Sequence, residues 1–376
     1  MEAKKYNNIK LGLSIGKGIT SFVLLFFFVY AGVSLKLERF LMNYFSNNYL
    51  IFLFFAILIF IAGTIIFFPV NYYSEFYIEH KFNLSNQTFV QWIWEDLKGV
   101  LVAGLIGLPL LFLFFYLINF SPDYWQLYFA VALFFISVIL AQILPIVILP
   151  LFYKVTPIEN ANLKNRILDI TRNEGLRVEN IYRFNMSKNT RKANAAFVGL
   201  GKTKRIILGD TLLKNFSDDE ILAVIAHEIG HFKKKHILKN ILLNTIFSFV
   251  ILYLIAELFK VSLPYFGFEK ITRIAAMPLL ALWSMLVSIL TMPIFNGISR
   301  KFEYEADEYS VLKTGDGKLL IETLKKLNKL NLGDEEPHPL VEWMFYNHPS
   351  IKKRIRHIET FTNLKLSGGV LGGKIG

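Results

Sequence analysis

His227-Glu228-Ile229-Gly230-His231 is the stretch on which the reading of this chain turns. It lies in the apolar-periodic run Ile221–Phe232, which predicts a helix. Ser217, with Glu220 three residues on, forms a capping box that marks the start of that helix. Residues four apart on a helix stand one turn above each other on the same face. His227 and His231 are therefore placed to offer one imidazole nitrogen each to a single ion, and Glu228 to reach a water beside it. The competing reading is a helix with two surface histidines. With seven His in 376 residues, the full pattern arises by chance on the order of one time in a hundred or less, which favours the metal.

Working outward, the composition sets the surroundings. The chain is 54% hydrophobic, has 36 Phe and is only 19% charged, which describes a polytopic membrane protein with a hydrophilic part rather than two or three soluble domains. There is no Cys, so disulfides, thiolate metal sites and a cysteine nucleophile are excluded. The net charge of +12 is assigned to the cytoplasmic side of a membrane protein and not to nucleic acid. No Arg/aromatic binding pattern and no Gly-rich phosphate loop competes with that assignment.

Six apolar runs are each close to the roughly 20 residues a helix needs to cross a bilayer. They are Gly18–Leu35, Leu50–Val70, Gly99–Ile118, Leu127–Leu149, Asn240–Ala256 and Ile274–Ile298. The first is read as a retained span, because no small-residue cleavage site follows it. Asn71–Lys98 reads as an amphipathic polar stretch, and Pro145 and Pro150 predict a kink or a stop. Residues 1–150 thus form an N-terminal membrane region with four spans, and 151–236 a hydrophilic catalytic segment ending in the His-pair helix. Residues 237–298 hold two further spans, and 299–376 form a second polar segment.

Within 151–236, Asn162–Arg172 predicts a helix, and Val178–Phe184 and Arg205–Leu208 predict strands. A basic turn from Ser187 leads into an edge strand around Asn194–Gly199. Leu319–Leu330 predicts an amphipathic helix, and the tail with Gly368, Gly369, Gly372 and Gly373 is expected to be disordered. An even number of spans puts 1–17, 151–236 and 299–376 on one side. Those segments hold most of the Lys and Arg, while the opposite loops hold Lys36, Arg39, Lys260, Lys270 and Arg273. The bias makes the shared side cytoplasmic.

A catalytic metal site needs a third protein ligand. His236 lies five residues past His231, about 140° round a continuous helix, and so is expected to face the helix surface or lipid headgroups. Whether the His-pair helix runs on into the fifth span or breaks near Lys233–Lys235 is open from the sequence. Glu303 and Asp307, four apart after the sixth span, are the better candidates: Glu303 as ligand, Asp307 holding a histidine's other N–H. Glu305 lies off that face and is expected to be solvated. A juxtamembrane charged face explains the same cluster equally well.

His227-Glu228-Ile229-Gly230-His231 followed by Ser299-Arg300…Glu303-Tyr304-Glu305-Ala306-Asp307 resembles the type I CAAX prenyl protease family of integral-membrane zinc metalloproteases. The resemblance extends to Asn194-Ala195-Ala196-Phe197 with Lys204-Arg205-Ile206, to Asp210-Thr211-Leu212-Leu213, and to His348-Pro349-Ser350 with Arg354. Tyr77–Phe82, Pro150-Leu151-Phe152 and Thr156-Pro157 are similar too. The match covers roughly residues 18–360. The sequence departs from the family's pattern at Phe232, where Trp is usual, at Ala196 for Tyr, at Ser350 for a second Pro, and in having six spans rather than seven.

The resemblance implies an all-α polytopic membrane protein, about six transmembrane helices around a chamber, with a small α+β cytoplasmic zinc-protease portion. It implies one Zn2+ per chain on His227, His231 and Glu303, with Glu228 as the catalytic carboxylate and Asp307 as a carboxylate that backs a ligand or donates a proton. His348 and Asn194 correspond to residues near the reacting carbonyl, and Arg354 to a basic residue at the substrate end, where it could pair with a C-terminal carboxylate. The edge strand Ala195-Ala196-Phe197 could take an extended peptide by strand addition. The expected partners are a peptide or protein substrate, prenylated or unmodified, and the lipid bilayer, in the cell (inner) membrane with the catalytic side cytoplasmic. Two rival readings stand beside this one. One is a quality-control protease of the bacterial heat-shock type. The other is a transporter or scaffold with a structural metal, against which no span holds a charge that would mark a transport path.

Overall fold

Among the described residues, six helices are long and apolar enough to cross a membrane. They are α1 (Glu2–Tyr30), α3 (Asn48–Lys81), α4 (Phe89–Phe120), α5 (Trp125–Phe152), α9 (His236–Phe266) and α10 (Ile274–Thr314). A short α2 (Val33–Met42) follows α1. The computed structural model describes residues 1–176, 178, 180–199 and 205–367. Leu200, Lys204 and the tail glycines lie outside the described residues.

The spans are longer than hydropathy alone predicts. The polar turns before Gly18 are helical, because Lys10 Nζ donates to the Ser74 carbonyl and Lys17 Nζ to Asn71 Oδ1. The helix stops at Gly32, whose φ of 70° only glycine adopts readily. The stretch read as a polar connector from Asn71 instead continues α3 through a π-helical turn, Tyr72–Tyr77. Its rings pack on Phe89 and Trp92 of α4. At Pro145 the chain does not stop; a π-helical turn, Leu144–Ile148, carries α5 on to Phe152.

The membrane part is closed at one end only. Val29, Leu41, Phe52, Phe55, Phe115, Ile118, Trp125, Phe259, Ile274 and Leu279 form one apolar core. These residues lie where α1, α4 and α9 end and where α3, α5 and α10 begin, so the core sits at the end of the bundle remote from the His-pair helix. An ion pair of 2.9 Å between Arg273 and the buried Glu38 of α2 lies at the same end. Over their most apolar stretch the first five spans bury only 6–17% of residues. A solid bundle would bury far more of each helix face, so these helices stand apart around a chamber. An apolar cavity of about 530 Å³, lined by Leu25, Phe55, Phe114, Trp125 and Met277, borders the core.

The other end is capped by a small α+β unit. Its sheet has the order β1 (Val155–Pro157), β2 (Ile181–Phe184), β4 (Arg205–Gly209), β3 (Ala195–Val198). β2 and β4 run parallel, and the outer pairs are antiparallel. α6 (Ala161–Asn173), α7 (Asp210–Asn215) and α8 (Asp218–Lys233) complete it. Leu163, Ile167, Ile181, Ile206, Leu208, Ile225 and Ile229 form its core. The predicted edge strand is at the edge, and β1 is the strand the sequence reading lacks. α11 (Gly317–Leu330), α12 (Pro339–Phe345) and α13 (Ile351–Ser367) follow α10 and pack back on it.

Candidate metal and peptidase site

α8 begins at the expected capping box: the Ser217 N–H donates to Glu220 Oε2 at 2.7 Å, and Glu220 N–H returns to Ser217 Oγ at 3.3 Å. It lies antiparallel on the last turns of α10, in a register that advances one helical turn at a time. Ser310 Oγ donates to the Ala223 carbonyl at 2.9 Å, His227 meets Asp307 at 2.9 Å, and His231 meets Glu303 at 3.2 Å. The two helices can approach this closely because Gly230 has no side chain. A Cβ there would lie 3.0–3.1 Å from Tyr309 Cβ and the Ala306 backbone.

This register brings three ligand atoms together, all within 4.8 Å of one another: one each from His227, His231 and Glu303. The Nε2 atoms of the two histidines face each other at 3.2 Å, and Glu303 lies 3.2 Å from His231 Nε2 and 3.5 Å from His227 Nε2. Ligands at about 2.1 Å around a tetrahedral zinc stand about 3.4 Å apart, so the three fit one such ion. Glu303 Oε2 is buried without a hydrogen-bond partner, an expensive arrangement that a cation relieves. The remaining nitrogens are tied down. His227 Nδ1 bonds Asp307 Oδ1, as the i, i+4 spacing predicts, and His231 Nδ1 bonds His236 Nδ1 at 3.0 Å.

His236 and Glu305 are corrections to the sequence reading. α8 does not run on into α9; the chain breaks at Lys235, which takes φ 56°. The 140° offset assumes one continuous helix and does not apply. His236 is 2% exposed and faces protein, and its Nε2 meets Glu305 Oε2 at 3.0 Å. Glu305 is thus paired rather than simply solvated.

Arg354 is also placed differently from its expected position. It is buried and engaged, donating to both Asp307 oxygens at 2.8 and 2.6 Å and lying 3.5 Å from Glu303 Oε2. It holds the two acids beside His227, and it also lines the cavity described below. Burial works against its charge, but Asp307 outweighs burial and keeps the guanidinium charged.

Around these residues lies a cavity of about 430 Å³, walled by Asn194, Ala195, Glu228, His348 and the apolar face of α11 at Leu324 and Leu327. Burial raises the Glu228 carboxyl above the ordinary carboxylate range, with Glu303 adding repulsion and the two histidines opposing. His227 is pushed up to about 10: burial opposes this, but its bond to Asp307 and the nearby Glu303 carboxylate prevail. His348 is 57% exposed, with Nε2 3.4 Å from Glu303 Oε1. Desolvation pushes its pKa down, with Arg354 and the other histidines helping and Glu303 opposing.

His348 owes its position to contacts that the sequence reading missed. Arg300 donates to the carbonyls of Glu342 and Tyr346, Asn296 donates to that of Met344, and the buried Glu342 accepts from the Ser350 N–H.

β3 presents its free edge to the same cavity. The Gly209 N–H donates to the Asn194 carbonyl at 2.9 Å, so Asn194 faces β4. Backbone direction alternates along a strand, which turns the polar groups of Ala195 and Phe197 outward, away from β4. The Phe197 N–H acts on the Glu228 carboxylate. The side chains divide differently: Phe197 is buried against Phe232, and Ala196 packs on the opposite face with Phe184 and Ile207. Of the four residues expected to bind substrate, Ala195 and Arg354 line the cavity, and Ala196 and Phe197 do not.

A ring of spans closed by a metal-ready His/His/Glu cluster defines a membrane-embedded peptidase, and the comparisons agree. Residues 157–362 match Peptidase family M48, and residues 1–154 match the region described as CAAX prenyl protease N-terminal, five membrane helices. The chain belongs to Peptidase family M48. It is 33% identical to CAAX prenyl protease 1 of Saccharomyces cerevisiae, over 81% of this chain and 71% of that one. It is 28% identical to the uncharacterized metalloprotease YhfN of Bacillus subtilis, over 96% of this chain and 85% of the relative. The crystal structure of S. mikatae Ste24p superposes with a TM-score of 0.85 at 29% identity, covering 95% of this chain and 88% of that one. The chain is therefore a multi-pass membrane peptidase.

Proposed function

We propose that this chain is a zinc metalloendopeptidase that cuts near the C-terminus of prenylated or membrane-associated peptides, with its catalytic end on the cytoplasmic side. The observation that carries the reading is the α8–α10 register. It gathers His227, His231 and Glu303 around one point, with Glu228 beside it and the free edge of β3 across the cavity. The names of the relatives support the substrate class, and the Lys/Arg bias supports the orientation.

His227, His231 and Glu303 would hold the ion, which when bound supplies Lewis-acid polarisation of the scissile carbonyl and of water. Glu228 takes the proton of the attacking water and returns it to the leaving amine. Its raised proton affinity suits both steps better than an ordinary carboxylate would. The outward backbone groups of Ala195 and Phe197 hold the peptide extended, as an added strand. His348, on the cavity wall, would donate to the oxygen on which charge develops, and Asn194 would flank the peptide. Asp307 orients His227, and Arg354 holds Asp307.

The test is mass spectrometry of products from a farnesylated peptide incubated with the purified protein in detergent. Cleavage near the modified residue, stopped by chelator and restored by zinc, is expected. Glu228→Gln is expected to keep its zinc and lose cleavage. If Glu228→Gln cut at the wild-type rate, the mechanism would be wrong.

A further inference from the structure

The two histidines of the site are supported in different ways. His227 is backed directly by a carboxylate, Asp307, which Arg354 holds in turn. Behind His231 stands a second histidine, with a carboxylate one step further out. We propose that His236 is a positioning residue for the metal ligand His231, and that it passes the pull of Glu305 to that ligand through a two-bond relay. The proposal rests on the reading of His231 as a ligand.

Proton assignment leaves little freedom. For His231 to turn a lone pair on Nε2 toward the centre of the cluster, its proton must sit on Nδ1. That N–H then donates to His236 Nδ1, 3.0 Å away. His236 Nδ1 must be bare to accept it, so the proton of His236 sits on Nε2 and donates to Glu305 Oε2, also at 3.0 Å. The reverse order would put a proton on His231 Nε2, facing His227 Nε2 at 3.2 Å, where no ion could then enter. One carboxylate-to-imidazole-to-imidazole chain, with the buried His236 at its centre, thus fixes both tautomers, and makes the outer nitrogen of His231 a better donor to a metal.

Three independent features hold His236 to this job. The ring is buried and stacked flat on Phe302, with centroids 4.1 Å apart and planes 8° apart. Lys235 takes a left-handed backbone, which is strained for a non-glycine residue, and turns the chain so that the ring comes back to His231. Glu305 is steadied on its outer side by Lys239, at 3.7 Å. Phe302 and Glu305 flank the proposed ligand Glu303 on α10, so the relay also ties α9 to the helix that carries the third ligand.

The experiment is zinc affinity by competition with a chromogenic chelator, on the full-length protein in detergent, with the visible spectrum of the cobalt-substituted form as a second readout. His236→Phe keeps the size and the stack on Phe302 but removes the acceptor. It is expected to weaken zinc binding about 10- to 100-fold and to alter the cobalt spectrum, with the melting temperature of the metal-free protein unchanged. His236→Asn returns an acceptor where Nδ1 stood and is expected to recover most of the affinity. Glu305→Ala, at a partly exposed position, is expected to weaken binding less, and no further once His236 is Phe.

Wild-type affinity in His236→Phe, or His236→Asn no better than His236→Phe, overturns the relay while leaving the metal site standing. If His236→Phe does not fold, an unchanged affinity in Glu305→Ala overturns it. Wild-type protein that binds no stoichiometric zinc overturns the metal site and the relay together.

Discussion

The two ends of the membrane cage are built on different principles. At the closed end, apolar side chains from α1, α3, α4, α5, α9 and α10 meet in a core held mainly by packing, with one ion pair between Arg273 and Glu38. At the site end, directional bonds fix nearly every functional side chain: Asp307 on His227, His236 on His231, Arg354 on Asp307, Arg300 behind the His348 loop. Packing tolerates small shifts, and a metal cluster does not. The difference suggests that changes at the site end act on chemistry first, and changes at the closed end on stability.

The sharpest way to break that contrast is Glu303→Ala. Two histidines alone leave the ion short of a protein ligand, so zinc per chain is expected to fall from one toward zero, and peptide cleavage with it. Zinc content by atomic absorption checks this. A variant that kept one zinc would move the third ligand elsewhere.

His348→Ala comes next. Its loop is held from α10, yet its ring is not in the cluster, so the metal is expected to stay. Loss of one donor to a developing oxyanion typically costs about 100-fold or more, and the loss is expected in kcat rather than in zinc content. A His348→Ala protein with an unchanged rate would return this histidine to the polar surface. Gly230→Ala probes the register itself. The added methyl meets Tyr309 Cβ and the Ala306 backbone, which cannot move independently of the helices. The helices must part by a few tenths of an ångström, and overpacking of this kind costs about 1–3 kcal/mol. About a tenfold loss of rate is expected, since a misplacement of about 1 Å costs about 100-fold.

The same contrast governs what could be read from the sequence. Six spans are legible because about 20 apolar residues in a row is a one-dimensional property, indifferent to neighbours. Their ends are not: Lys10 and Lys17 stay helical only because Ser74 and Asn71 accept from them. Asp307 is legible because i, i+4 spacing fixes its direction relative to Glu303. His236 is not, because its direction depends on Lys235 turning left-handed within a run of lysines that carries no glycine to announce a break. Arg354 is read incompletely for a related reason. A basic residue near a site invites a substrate, and the acid it holds, Asp307, lies 47 positions away in sequence. β1 escapes notice because three residues ending in proline carry no alternation to detect.

Phe55→Ala tests the contrast from the quiet end. Phe55 is 2% exposed and packs in the closed-end core near Phe28. In a water-soluble core, loss of such a ring costs about 3–5 kcal/mol. In lipid the transfer of the ring from water drops out, because acyl chains are as apolar as the core, and the cavity share remains, on the order of 2 kcal/mol. The melting temperature in detergent is therefore expected to fall, while zinc affinity and the rate on bound peptide stay within about twofold, as for distant, independent sites. A Phe55→Ala protein with unchanged stability but weakened zinc binding would mean that α10, which starts in that core and ends at Glu303 and Asp307, transmits packing along its length. The two ends would then be one mechanical unit, and the division drawn between them would fall.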